Sequence, residues 1–546
     1  MFKKIWSSIL LFCVIGTSVV LIGCWQNVSK EVSNIYNIQA QLLDDTIFAT
    51  EHVVYFNNSN TLLHSIDFNL YANAFRKDAK YYAIADTDKT NAWYDGESYG
   101  DIQILYTSIN NISTTHNILG VDQNILSLPI DLKPNQKVEV VIKYILTIPK
   151  LKFRLGVTHH TINLGQWYPS ICVVQNGEFI HNPYYYIGDP FVSDIADYNV
   201  ILSVPEEYVV ASSGQVEQVD KGTYVTTVKS IREFALVLSK EYKTSITNVN
   251  GTQANVKITQ ANVNGTQVYY NYYNDSDPNE ILEVAYKALN LFNKLFGKYP
   301  YSTLTIAQTE FLYGGMEYSG LVMISDTLKR ERYIEAVVHE IAHQWWYGIV
   351  GNNQINTPWL DESLAEYSTT IFYENYPEYG ITRQQRIGRS TTVLNIYIDT
   401  HTFGSTNTIS DTNTISDKNT KENISIISGI NTTENTRTKE RTNIISNANY
   451  KAITKPKLDM GKSVPEFNSP AEYVALVYAM GNMMLDSVRS FVGDDIFFQS
   501  IKYYYTNNQY TIASPDDLIN AFKKYTKVDM RKVIGEWLSG DVVLWA

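Results

Sequence analysis

Hydrophobic and polar positions recur with two different periods along this chain, and the change of period divides it. From Tyr36 to about Thr244, short runs alternate apolar and polar residues, as in Lys137 to Val141, Asn199 to Val204 and Thr223 to Val228. Asn, Gly, Asp and Pro separate the runs. The period of two, the β-branched and aromatic content and the regular turn signals predict an all-β domain over 36–244. Near Asn279 the period lengthens: Asn279 to Phe296 places apolar side chains at helical spacing, and Gly297 stops the run. Further helices are predicted over about Arg330 to Val350, Pro358 to Tyr376, Pro470 to Val492, Pro515 to Tyr525 and Met530 to Leu538. The Pro470 helix has a legible start, with Ser469 as N-cap, Pro470 in the first turn and Glu472 three residues after the cap. A mainly helical second domain therefore occupies 245–546.

Two segments depart from both periods. After Lys3-Lys4, an apolar stretch from Ile5 to about Ile22 is almost long enough for a retained transmembrane anchor. It ends on Leu21-Ile22-Gly23-Cys24, which resembles the bacterial lipobox, where small residues precede a cysteine that is lipidated and becomes the new N-terminus. The expectation is a signal peptide over 1–23, a lipid anchor at Cys24 and a tether over 24–35. Roughly ten residues reach at most ~35 Å, which would hold the body close to the outer face of the cell membrane. Between roughly Thr402 and Asn449 the chain turns to Ser, Thr and Asn and repeats TNTISD in tandem. So little apolar surface predicts a disordered insertion at about 402–449. A solenoid would need at least three units and a hydrophobic face.

Composition narrows the partners. The chain has 546 residues, 44% hydrophobic and 18% charged, which excludes a collagen-like, wholly disordered or multi-span membrane protein. With 44 Lys+Arg against 56 Asp+Glu, the net charge of −12 argues against nucleic acid as a partner and favours cationic ligands such as a protonated amine. The cysteines are Cys13, Cys24 and Cys172; once the signal is removed, no disulfide framework is possible. His159-His160 looks like a metal pair, but adjacent residues on a strand face opposite ways, so a structural role is expected.

The strongest chemical signal is His339-Glu340-Ile341-Ala342-His343. On a helix, residues four apart share a face, so both imidazoles can address one ion, and Glu340 can reach a water on it. The same segment is apolar enough to be simply a buried core helix. Beyond His343, with eighteen residues intervening, comes Glu362, in Thr357-Pro358-Trp359-Leu360-Asp361-Glu362, where Thr357 can cap and Pro358 can open a second helix. Two nitrogens, one carboxylate and an open fourth position form the ligand set of a catalytic zinc; a closed structural site would fill all four with Cys and His.

HEIAHQWWYGIV followed by WLDESLAEY resembles the M1 family of zinc aminopeptidases, members of the gluzincins. A second motif agrees: Gly314-Gly315-Met316-Glu317-Tyr318 resembles the family's exopeptidase motif GxMEN. The resemblance implies one Zn²⁺ per chain on His339, His343 and Glu362, with Glu340 as general base. It implies peptide substrates with a free N-terminus, whose α-ammonium Glu317 would bind beside Gly314, Gly315 and Met316. Tyr318 stands where the family has Asn. The family's catalytic Tyr, in a Tyr-x-Lys-Gly context, falls on Tyr478 in Tyr478-Ala479-Met480-Gly481, with Met480 replacing Lys and Tyr473 as runner-up. Trp167-Tyr168-Pro169 and Gly188-Asp189-Pro190-Phe191 are similar to bacterial N-terminal domains of the family, and Gln166 is the one candidate there for an extra amine contact. The implied architecture is an all-β domain followed by a thermolysin-like α+β, mainly helical zinc peptidase domain, without the large C-terminal helical domain of longer members and with a more open site. Two other readings stay open: a metalloendopeptidase with the same zinc set, and an inactive surface-binding lipoprotein.

Overall fold

A computed structural model describes residues 34–247, 262–263, 265–403 and 456–541. The signal peptide, Cys24, most of the tether and residues 404–449 of the expected insertion lie outside the described residues; 402–403 close a helix. Among the described residues, no helix is long and apolar enough to cross a membrane.

The first part is all-β. Its largest sheet runs, edge to edge, through Val216–Asp220, Thr223–Ile231, Ala196–Ser203, Asn34–Leu43, Thr46–Phe56, Lys137–Thr147, Asp101–Ile109 and Ile112–Ser113. Asn34–Leu43 pairs in parallel with Ala196–Ser203, and the other neighbours are antiparallel. In Lys137–Thr147 the alternation is explicit: Val138, Val140, Ile142, Tyr144 and Leu146 are buried while Lys137, Glu139 and Lys143 face solvent. One buried face per strand fixes the register, because a slip of one residue would expose the whole set. Two four-stranded sheets and a two-stranded pair, Val174–Gln175 with Glu178–Phe179, accompany it.

The second part opens with a sheet ordered Lys243–Thr247, Thr266–Tyr272, Thr303–Thr309, Leu321–Ser325, Gly315–Met316. Lys243–Thr247 thus belongs to this sheet already. Thr303–Thr309 is buried throughout, as a central strand flanked by parallel neighbours should be. Helices α1 (Pro278–Leu295) and α2 (Arg330–Ala342) pack on this sheet, and α3 (Trp359–Asn375) packs on α2 with α4 (Arg383–Phe403) and α5 beyond it. Helix α5 runs as Pro470–Tyr473, a π-helical Val474–Met480 and Gly481–Val492. Ser469 caps it by accepting a bond from the Glu472 amide, as its sequence predicts.

Three local readings change. Helix α2 ends at Ala342 rather than near Val350, because the aromatic residues after it pack through turns: Trp345 donates to the Gly297 carbonyl and Trp346 to Ser368 Oγ. Thr357 does not cap α3; its hydroxyl donates to the Asn353 carbonyl. Helix α4 and the helix Asp494–Asn508 are additional to the helices expected.

Candidate active site

The last turn of α2 and the first turn of α3 meet. His339 and Glu340 close α2, His343 is its C-cap, and Glu362 lies in the opening turn of α3. Glu362 Oε2 is 3.3 Å from His339 Nε2 and 3.1 Å from His343 Nε2, and the two nitrogens are 3.1 Å apart. Three ligand atoms on a tetrahedral zinc with bonds of ~2.1 Å stand ~3.4 Å apart, so the residues fit the ion. Each ring is held from behind: His343 Nδ1 is 2.9 Å from the Trp346 carbonyl, and His339 Nδ1 is 3.2 Å from Glu366 Oε2. A donor hydrogen on Nδ1 leaves Nε2 with its lone pair free for a metal. A second set of potential ligands, Glu317, His343 and Asp361, shares His343.

The electrostatics suit a cation. Burial opposes ionisation of Glu362, but His343 and His339 outweigh it and hold the carboxyl well below the usual range. Burial lowers His343 and the Glu362 carboxylate overrides it, leaving His343 at about 10. Burial lifts the Glu340 carboxyl to about 7, with His339 and His343 pulling against it, which is where a proton acceptor working near neutral pH belongs.

The edge strand Gly315–Met316 lies directly against Glu340. A Cβ on Gly315 would fall 2.4 Å from Glu340 Oε1, so this position has no room for a side chain. Gly314 accepts a bond from the Ser325 amide, and Met316 is buried in the β-side core. Glu317 follows, buried, with Oε1 accepting from Gln354 Nε2 at 3.0 Å. Burial first, and then the Asp189 carboxylate, raise its carboxyl well above the usual range. Gln354 also donates to Asp361 Oδ2, and Asn352 to Asp361 Oδ1, both at 2.9 Å.

Tyr478 sits in the π-helical turn of α5 and donates to Glu362 Oε1, its ring stacked on His339 at 5.8 Å between centroids. Gly481 permits this approach of α5 to α3, since a Cβ there would meet Ser363 Oγ at 2.0 Å. Met480 is buried in the helical core. Tyr473 packs edge-on to Tyr478 and lies over Gly188.

The β-domain closes the site from the other side. Tyr318 is fully buried and donates to Gln166 Oε1 at 2.6 Å, and Gln166 Nε2 donates to Glu233 Oε2 at 2.9 Å. Gln166 is thus engaged in an interdomain chain rather than free for an amine. Asp189 is the residue that sequence reasoning passed over. Arg154 Nη1 donates to its Oδ1 at 2.7 Å; burial raises the Asp189 carboxyl, Arg154 lowers it, and Glu362 raises it again. Its signal was the Gly188-Asp189-Pro190-Phe191 stretch, which gave similarity but no role. His159 and His160 bind different carboxylates, Glu310 and Glu241, each at 3.0 Å.

Residues 280–427 match the peptidase family M1 domain. Aminopeptidase N of Lactobacillus helveticus is 24% identical over 276 residues, covering 47% of this chain and 26% of that protein. Aminopeptidase M1-A of Oryza sativa subsp. japonica is 27% identical over 210 residues, covering 35% of this chain and 23% of that protein. The match therefore spans about a quarter of the length of these relatives. The crystal structure of an M1 zinc metallopeptidase from Deinococcus radiodurans superposes with a TM-score of 0.58 at 13% identity, over 94% of this chain and 96% of that one. A mutant of that enzyme bound to a Tyr-Ser-Ala substrate gives 0.59 at 14% identity, over 94% and 95%. Over residues 280–427 the chain is similar to the peptidase family M1 domain, and its described residues share the β-domain-plus-helical-domain fold of the two-domain M1 zinc metallopeptidases.

Proposed function

We propose that this protein is a zinc-dependent aminopeptidase that removes N-terminal residues from peptides. The observation that carries the reading is the convergence of His339 Nε2, His343 Nε2 and Glu362 Oε2 within 3.1–3.3 Å of one another, with a buried Glu317 alongside. A zinc ion held by those three residues would supply Lewis acidity for the scissile carbonyl and an acidified water. Glu340, lifted to about 7, takes the proton of the attacking water and returns it to the leaving amine. Tyr478 supplies the hydroxyl donor for the developing oxyanion, once its bond to Glu362 is exchanged for one to substrate. Glu317 pairs with the substrate's α-ammonium, which sets the register of cleavage after the first residue. One ion per chain serves this scheme.

The setting proposed is the outer face of the cell membrane, with the lipid on Cys24. Its support is the Lys3-Lys4, apolar stretch and Leu21-Ile22-Gly23-Cys24 sequence. Fatty-acid labelling of the wild-type chain and Cys24→Ser tests this: label persisting in the variant rules the anchor out.

For the activity, purified protein is assayed on one peptide with a free and with an acetylated N-terminus, with and without chelator. Cleavage of the free peptide far faster than of the acetylated one, abolished by chelator, is expected. Glu340→Gln should keep its zinc and lose about 10²–10⁴ in rate. Equal cleavage of both peptides would favour an endopeptidase, and chelator-insensitive cleavage would remove the zinc reading.

A further inference from the structure

The zinc ligands come from two separate helices, so their spacing depends on whatever fixes α2 against α3. Arg386, on α4, sits across that joint at 2% exposure. Its Nη1 donates to Glu335, one turn before His339 on α2, and its Nη2 donates to Glu366, one turn after Glu362 on α3. Its Nε donates to Thr370 Oγ1 at 3.2 Å, a further turn along α3. Glu366 uses Oε1 for this guanidinium and Oε2 for His339 Nδ1. One carboxylate therefore joins Arg386 to a ligand imidazole.

We propose that Arg386 and Glu366 are positioning residues for the metal site: the guanidinium locks α2 to α3 one turn from the ligands and aims Glu366 at His339, which sets the affinity for zinc. The inference rests on the reading of His339, His343 and Glu362 as zinc ligands. Residue type supports it. A planar fork can address two carboxylates and a hydroxyl at once, whereas a lysine ammonium is a single point on a flexible stem. A cation this deeply buried is tolerated only when paired, so its position is tied to both glutamates. Glu335 also has Arg332 and, at 3.6 Å, Arg389. His343 is oriented independently, by the Trp346 carbonyl, so the ring that Glu366 aims is that of His339.

The test is zinc affinity of the full chain by competition with a chromophoric chelator, beside the visible spectrum of the cobalt-substituted protein. Arg386→Lys and Glu366→Gln are each expected to weaken zinc about 10–100-fold and to alter the cobalt bands, as removal of outer-sphere partners of ligand histidines does. The double variant should bind no more weakly than the weaker single, because Arg386 acts through Glu366. Arg383→Lys, on the same helix but paired with Asp486 and Glu374, should bind as wild type. Wild-type affinity in both single variants, or losses that multiply in the double, overturns the proposal. If Arg386→Lys does not fold, Glu366→Gln, which keeps size and shape, decides. A wild-type chain that takes up no zinc would instead defeat the site reading on which the clamp rests.

Discussion

Glu317 shows how much a single side chain depends on its surroundings. Its carboxylate is buried, accepts one bond from Gln354 and lies in the field of Asp189, Glu340 and Glu362. Such a concentration of buried acid is costly by itself and becomes favourable when a cation enters. A substrate ammonium is that cation in the proposed reaction. Truncating one partner of a desolvated charge pair costs about 2–5 kcal/mol. Glu317→Ala is therefore expected to lower kcat/KM on free peptides about 30-fold or more, and to leave the slow cleavage of an acetylated peptide almost unchanged. The check is kcat/KM for both versions of one peptide on both enzymes; an equal loss on both would make Glu317 a structural carboxylate.

Elements fix the distances between such residues, and the α3–α5 contact is a close one. Ser363 Oγ donates to the Val477 carbonyl at 3.0 Å, next to the turn that presents Tyr478, and Gly481 lies against Ser363. A methyl at 481 would force the helices apart, and overpacking of this kind costs about 1–3 kcal/mol. Gly481→Ala is expected to lower thermal stability and to reduce kcat more than it raises KM, because Tyr478 moves while Glu317 does not. Ser363→Gly in the same chain should restore both; failure of that rescue in the melting curve would place the damage elsewhere. The sequence made this element legible through Ser469, Pro470 and the apolar spacing that follows. It hid α4 for a physical reason. The buried face of α4 runs Arg386, Ser390, Val393, Leu394 and Tyr397, which is helical spacing, but its first two positions are polar and leave no apolar stripe to read. The spacing of His339, His343 and Glu362 was readable because it is local to two helices. Asp189, Arg386 and the Tyr318–Gln166 bond depend on folding distant segments together, which no periodicity reports.

At the scale of the whole molecule, the β-domain acts as the rigid second wall of the site. Arg232 reaches from it into the helical part, donating to the Tyr347 carbonyl at 2.8 Å and the Thr511 carbonyl at 2.9 Å, with Gly351 leaving room for its guanidinium. At the other end Glu310, just after the central strand Thr303–Thr309, gathers the β-domain onto itself. It accepts the His159 amide at 2.6 Å, with His159 Nδ1 at 3.0 Å and Lys152 Nζ at 2.9 Å. Burial raises its carboxyl, but the bonds from Lys152 and His159 prevail and bring it down to about 2. A carboxyl whose pKa is lower folded than unfolded contributes stability that is complete above its unfolded value, about 4.3, and fades as the pH falls through 2. Glu310→Gln removes that contribution at neutral pH and leaves Lys152 without its carboxylate. The variant should melt a few degrees below wild type at pH 7, on the scale of ~2–4 °C per kcal/mol for large domains. The two melting temperatures should converge as the pH is lowered from 5 towards 2. Differential scanning calorimetry across that range checks both statements, and a gap that stays constant with pH would mean that Glu310 stabilises the joint by packing rather than by its charge.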